Sequence, residues 1–182
     1  DQAGGPAATD HYLPEEQAPS PPEIAVLSSP TFEIITQTLL VSAAQAHLWD
    51  ACIRDPRNAK AASSDINVHT NMSFAEKAGL KGRTLNGLCL LGIAMTSVLK
   101  MTSVAESWEG LKRVGGIFGA PVLMLFDPVS LEVSITGRGP NAEGDEVILF
   151  SVATTEGKSA IRSGYILVSA TAASSWWGSS RM

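Results

Sequence analysis

Cysteine is scarce: two residues, Cys52 and Cys89, in a chain of 182. Two cannot make a disulfide scaffold, and neither sits in a CxxC pair. A reduced cytoplasm is the simplest setting. A basic excess is missing too. Thirteen Lys and Arg stand against eighteen Asp and Glu, a net charge of -5, which argues against a nucleic-acid partner. No apolar run reaches the ~20 residues that a membrane span needs. No basic segment followed by an apolar stretch opens the chain. Neither a membrane partner nor a secretory signal is therefore expected. What is there is 45% hydrophobic and 17% charged residues, the profile of one core-forming globular domain.

The charge is uneven. Residues 1–30 hold five acids, no Lys or Arg, and six of the ten prolines, including Pro19-Ser20-Pro21-Pro22. Such a stretch builds neither a helix nor a central strand. We expect residues 1–30 to form an arm, acidic and mobile over 1–23 and extended over 24–30 as it enters the fold. The domain proper would run over 31–172, with a tail at 173–182.

Thr31–Ser42 is β-branched and apolar enough for a strand. Ser42 offers a cap to an Ala-rich helix over 43–54. Residues 55–73 are polar, turn-rich and long, and a loop of that length in a small domain is usually functional or disordered. Ser73 can cap a short helix closed by Gly79. A second helix starts at Asn86-Gly87 and runs to about Ala105. It is apolar nearly all round, so it should be buried on most sides. Four strands follow, expected at Arg113–Phe126, Ser130–Gly137, Glu146–Thr155 and Ala160–Ala170. The breaks between them are Asp127-Pro128, Gly139-Pro140-Asn141 and Glu156-Gly157. One strand, helices, then four strands make an α+β chain with one greasy helix to cover. A curved antiparallel sheet can cover it.

The long loop contains Asp65-Ile66-Asn67-Val68-His69, and Gly87 opens the apolar helix eighteen residues after His69. An aspartate and a histidine close together can share a water, one taking its proton and the other returning one to a substrate. A helix N-terminus presents unpaired N–H groups and the positive end of a dipole. It can bind an oxygen whose negative charge grows as an enolate forms. These are the parts of a hydratase or dehydratase acting beside a carbonyl, and they require no metal or organic cofactor. His47, His69 and Asp65 match no strong zinc spacing. Cys89 and His47 read as structural residues. Asn67 reads first as a residue that staples the loop, and Asp65 alone could serve as a turn or cap residue.

The same stretch resembles the MaoC-like, (R)-specific enoyl-CoA hydratase and dehydratase family, with its Asp-x-Asn-Pro-aliphatic-His fingerprint and its glycine opening the helix. Asp65, Asn67, Val68, His69, Ala75, Gly79 and Gly87 fall on that pattern in order. Phe118-Gly119-Ala120-Pro121-Val122 is similar to the family's Phe-x-x-Pro-Val strand. Glu156-Gly157 followed by Gly164 resembles its last hairpin. The resemblance covers roughly residues 31–170. It implies a hot-dog fold, a curved sheet wrapped around a long helix, and a homodimer. It also implies Asp65 and His69 as catalytic pair, the Gly87 amide as oxyanion donor, and Asn67, Asn86 and Ser64 beside them. The implied substrate is an acyl thioester of coenzyme A or acyl carrier protein.

The chain departs from the fingerprint in three places. The proline is absent, which brings Asp65 one residue nearer His69; counted without a gap, Ser64 falls on the aspartate position. Ile117 stands where the family often has arginine. Leu123-Met124-Leu125-Phe126 is far more apolar than its counterpart. The altered spacing, the apolar run and the added N-terminal arm motivate a second reading, a retasked enzyme that dehydrates, isomerises or cyclises a polyketide-like small molecule. A third is a non-catalytic hot-dog subunit paired with an active partner.

Overall fold

The computed structural model describes residues 34–45, 67–102, 110–125 and 127–170. Its elements are strand β1 (Ile35–Val41), helices α1 (Met72–Lys77) and α2 (Gly87–Met101), then strands β2 (Leu111–Phe118), β3 (Val129–Pro140), β4 (Glu146–Thr154) and β5 (Ser159–Val168). The acidic arm, the C-terminal tail and most of the expected first helix lie outside the described residues. The start of that helix is present. Ser42 Oγ accepts from the Gln45 N–H at 3.4 Å, and the Gln45 side chain accepts from the Ser42 N–H at 2.8 Å. This reciprocal pair of cap bonds is the one Ser42 was expected to begin.

The strands form one antiparallel sheet in the order β1-β3-β4-β5-β2. The sheet is curved and the long helix packs against it, the α+β arrangement expected of a hot-dog domain. Period-two alternation makes its inner face. Leu131, Val133 and Ile135 on β3 and Ile148, Phe150 and Val152 on β4 are at most 1% exposed. The facing stripe of α2 repeats every four residues through Leu90, Ala94 and Val98, all buried. Burying each such aliphatic or aromatic side chain contributes about 1.5–3 kcal/mol.

The helix spans the sheet from edge to edge. At its start, Gly87 lies under the ring of Phe118 on β2, so close that an added Cβ would sit 3.2 Å from the ring. Further along, Ser97 Oγ donates to the Gln37 side chain on β1 at 2.8 Å. Strands β1 and β2 are the two outer strands, so the register of the helix is referenced to both. Only Leu88 and Lys100 of α2 are exposed, as its composition led us to expect.

Of the boundaries that differ from expectation, three have a visible physical reason. Strand β2 stops at Phe118 rather than running to Phe126. Gly119 and Ala120 still donate to Ala160 and Ser159 carbonyls at 3.0 and 2.8 Å. Pro121 then has no N–H to offer, and pairing with β5 ends. A side chain at Gly119 would press on the Ser159 backbone oxygen, so only glycine fits that last rung. Helix α1 is capped by Asn71, not Ser73: the Asn71 side chain accepts from the Phe74 N–H at 2.9 Å. Gly79 closes this helix as expected, with φ +78°. Strand β3 continues past Gly137 to Pro140, because the turn is made later. There Asn141 Oδ1 accepts from the Glu143 and Asp145 N–H groups at 3.0 and 2.8 Å.

Asp145 follows that turn and is 3% exposed. Its carboxylate accepts from Lys112 Nζ at 2.6 Å and from the Ala170 N–H at 3.2 Å. The Lys112 hydrogen bond holds the Asp145 carboxyl below the usual aspartate value. Burial opposes this, while the Ala170 N–H and the Lys112 charge add to the lowering. A carboxylate with a lowered value stabilises the fold above the unfolded value of about 3.9 and stops doing so as pH falls through the folded value below it. We therefore expect Asp145→Asn to melt earlier than wild type at neutral pH, with the gap closing below about pH 3.9. Thermal melts across pH check this; a gap that stays constant down to acid pH would contradict the assignment.

Candidate active site

The site begins with a turn. Asn67 Oδ1 accepts from the His69 N–H at 2.8 Å, the Thr70 N–H at 2.9 Å and the Thr70 hydroxyl at 3.0 Å. The Asn67 carbonyl accepts from the Asn71 N–H at 3.0 Å. This is the asparagine turn that a short carboxamide makes readily. It fixes the backbone of His69 and delivers the chain to Asn71, the cap of α1. Asn67 thus staples the loop, as its residue type indicated, and its carboxamide oxygen is committed to that task.

The imidazole is held at one nitrogen. His69 Nδ1 lies 2.9 Å from the Thr84 carbonyl oxygen and 3.1 Å from the Thr84 hydroxyl. A carbonyl oxygen can only accept, so Nδ1 carries the hydrogen. In the neutral ring Nε2 then presents a lone pair. The side chain is partly buried and Thr84 is 6% exposed. The carbonyl bond selects the tautomer, and the tautomer makes Nε2 the basic atom.

Thr84 is itself well anchored. Its N–H donates to the Val68 carbonyl at 3.1 Å. The residues beside it form a short ladder with the chain after β2. Leu85 N–H donates to Val122 O at 2.9 Å, and Met124 N–H donates to Arg83 O at 2.7 Å, about a Thr84–Leu123 bridge. This pairing accounts for part of the apolar run that departs from the fingerprint. Val122 and Met124 are buried in the core, and Leu125 covers Gly82.

Three residues after Thr84 comes the start of α2. Asn86 caps it, its Oδ1 accepting from the Leu88 and Cys89 N–H groups at 2.9 and 3.4 Å. Among the described residues no acceptor is directed at the Gly87 N–H, the first amide of the helix, which keeps one of the unpaired donors of a helix start. The structure therefore links His69, through Thr84, to the segment that opens into Gly87. Asn86 shapes the helix end. Asp65 and Ser64 lie outside the described residues.

Cys89, also in the first turn, is 3% exposed. Burial pushes its thiol up, against the direction a helix start favours, so it behaves as a core residue. Among the described residues no three of His, Cys, Asp and Glu gather to hold a metal ion. Thr84 and Phe118 were not foreseen as site residues. The one trace of Thr84 in the sequence is a hydroxyl flanked by Arg83 and Leu85 just before an apolar helix; Phe118 is visible only as part of the Phe-x-x-Pro-Val likeness.

No protein-family model matches the chain, and no curated protein matches it in sequence. Solved structures do resemble it. Full-length peroxisomal multifunctional enzyme type 2 from Drosophila melanogaster superposes with a TM-score of 0.58 at 24% identity, over 91% of this chain and 25% of that one. A MaoC-like dehydratase from Phytophthora capsici gives 0.56 at 19% identity, over 84% and 46%. The (R)-hydratase of A. caviae involved in PHA biosynthesis gives 0.57 at 15% identity, over 79% and 98%. The chain thus spans a quarter of the first of these proteins and less than half of the second. On these likenesses the chain has the hot-dog fold of MaoC-like dehydratases and (R)-hydratases.

Proposed function

We propose that this chain adds water to an enoyl thioester, or removes it from a 3-hydroxyacyl thioester, as a member of the MaoC-like hydratases. The observation that carries the reading is the 2.9 Å contact of His69 Nδ1 with the Thr84 carbonyl oxygen. Nδ1 is bound to a carbonyl on the segment leading to the helix start, so Nε2 is left as a base. In hydration, Nε2 draws a proton from water as the water oxygen bonds to C3 of the enoyl group. The π pair moves onto C2 and the thioester oxygen. The Gly87 N–H stabilises the negative oxygen. A proton is returned to C2, and substrate plus one water becomes the 3-hydroxyacyl thioester. Asp65, or Ser64 in its place, is the partner we assign to share the water and exchange its proton. Dehydration is the same sequence reversed. All these groups belong to the chain, and the proposed reaction consumes only water.

A second copy of this chain is the partner that its surface favours. Ile117 and Phe118 sit on the outer strand β2 and are 41% and 46% exposed. Pairing of two such edges would hide them. The natural-product reading retains the shortened Asp65–His69 interval as its motive. The apolar run gives it less, since Met124 serves the core.

Crotonyl-CoA tests the proposal. Purified protein should consume it with loss of absorbance at the enoyl band. No turnover on crotonyl, longer enoyl-CoA or enoyl carrier-protein thioesters would overturn it. Turnover restored only by adding a second, different subunit would favour the non-catalytic reading instead.

A further inference from the structure

We propose that Thr84 is a positioning residue for His69, its hydroxyl acting as a neutral second acceptor that holds the imidazole plane and supports the ring while it carries the extra proton. This inference rests on the hydratase reading of His69.

Every polar atom of Thr84 is spent on the loop. The N–H donates to Val68 O at 3.1 Å, and the carbonyl and hydroxyl oxygens flank His69 Nδ1 at 2.9 and 3.1 Å. Its immediate neighbours face the other way. Arg83 O and Leu85 N–H bond the 122–124 segment. Thr84 is thus gripped from behind by bonds that do not involve the loop, and it grips the loop by bonds that do not involve its neighbours. It is also nearly buried, at 6%. A hydroxyl there costs desolvation that valine, of the same shape, would not incur. Packing does not call for it; the imidazole does.

The two oxygens have different tasks. The carbonyl suffices to select the Nδ1–H tautomer, and any residue at this position supplies a carbonyl. One acceptor leaves the ring able to swing about that bond. A second acceptor beside it confines the ring and therefore the direction of Nε2. When Nε2 takes a proton from water, the Nδ1–H becomes a stronger donor and both bonds tighten. In many enzymes a carboxylate fills this place behind a histidine. Among the described residues none is bonded to Nδ1 here; the Thr84 oxygens are.

The test compares Thr84→Val and Thr84→Ser in the full chain by two readouts. Turnover of crotonyl-CoA gives kcat and KM. The proton and nitrogen NMR signals of the His69 Nδ1–H report ring anchoring without any substrate. We expect Thr84→Val to lower kcat by between about 10-fold and 100-fold, the scale of a misdirected base, with KM within about twofold. Its Nδ1–H signal should move and exchange faster with solvent, and Thr84→Ser should restore both readouts. Where Thr84→Val does not melt cooperatively, Thr84→Ala takes its place. An unmoved Nδ1–H signal overturns the inference, whatever happens to kcat. So does a loss of kcat that serine does not rescue. If wild type turns over no thioester while the NMR signal still responds to valine and recovers with serine, the positioning stands and the hydratase reading fails.

Discussion

Replacing His69 with alanine is expected to reduce turnover of crotonyl-CoA by about 10²- to 10⁴-fold, the usual contribution of a positioned general base. The ring is partly buried and, among the described residues, its polar anchors are confined to Nδ1, so the fold loses little with it. The backbone N–H of residue 69 keeps its bond to Asn67, and Thr84 keeps its bond to Val68. His69→Gln is the sharper control. A glutamine amide can donate to the Thr84 carbonyl but has no basic nitrogen. It should fold like wild type and remain inactive. Stopped assays with both variants, alongside thermal melts, separate chemistry from folding. A glutamine variant with near-normal turnover would remove His69 from the mechanism.

The largest expected effect on stability lies across the sheet from that site. Phe150 is fully buried on β4 and pairs with Gly164 on β5. The ring lies over the glycine, and a Cβ at position 164 would sit 2.6 to 2.8 Å from three of its carbons. Phe150→Ala should cost about 3–5 kcal/mol, roughly 6–20 °C in melting temperature for a chain of this size. Gly164→Ala should cost about 1–3 kcal/mol through overpacking. The two should not add. With the ring gone, the new methyl has room and begins to refill the cavity. We expect the double variant to be more stable than the sum of the singles implies by at least about 1 kcal/mol. Denaturant melts of the four proteins measure this. Simple additivity would show that the ring does not rest on Gly164.

Much of the framework was legible because it repeats locally. Alternation at Leu131, Val133 and Ile135 marks a half-buried strand. The four-residue stripe of Leu90, Ala94 and Val98 marks a buried helix face, and Asn86-Gly87 marks its start. Residues that act across the chain were harder to read. Asn71 and Ser73 are both good cap residues. The choice is made by the Asn67 turn, which presents Asn71 at the correct angle. Strand β2 looks longer in sequence than it is, since Val122 through Leu125 are as apolar as a strand but follow Pro121. Their partner is the 83–85 segment, which no periodicity announces. For the site, the pattern singles out His69 and Gly87 as residue types, and Asn67 as the stapler it proves to be. The tautomer could not be read, because it depends on an oxygen fifteen positions away.

The rungs joining Arg83–Leu85 to Val122–Met124 set the imidazole on a foundation separate from the five-stranded sheet. Yet Leu85, Val122 and Met124 of these rungs are buried in the same core as the sheet, so the patch cannot break open without breaching that core. The amide hydrogens of Leu85 and Met124 should then exchange with deuterium as slowly as those of β4. Enzyme activity in denaturant would accordingly fade together with the fold.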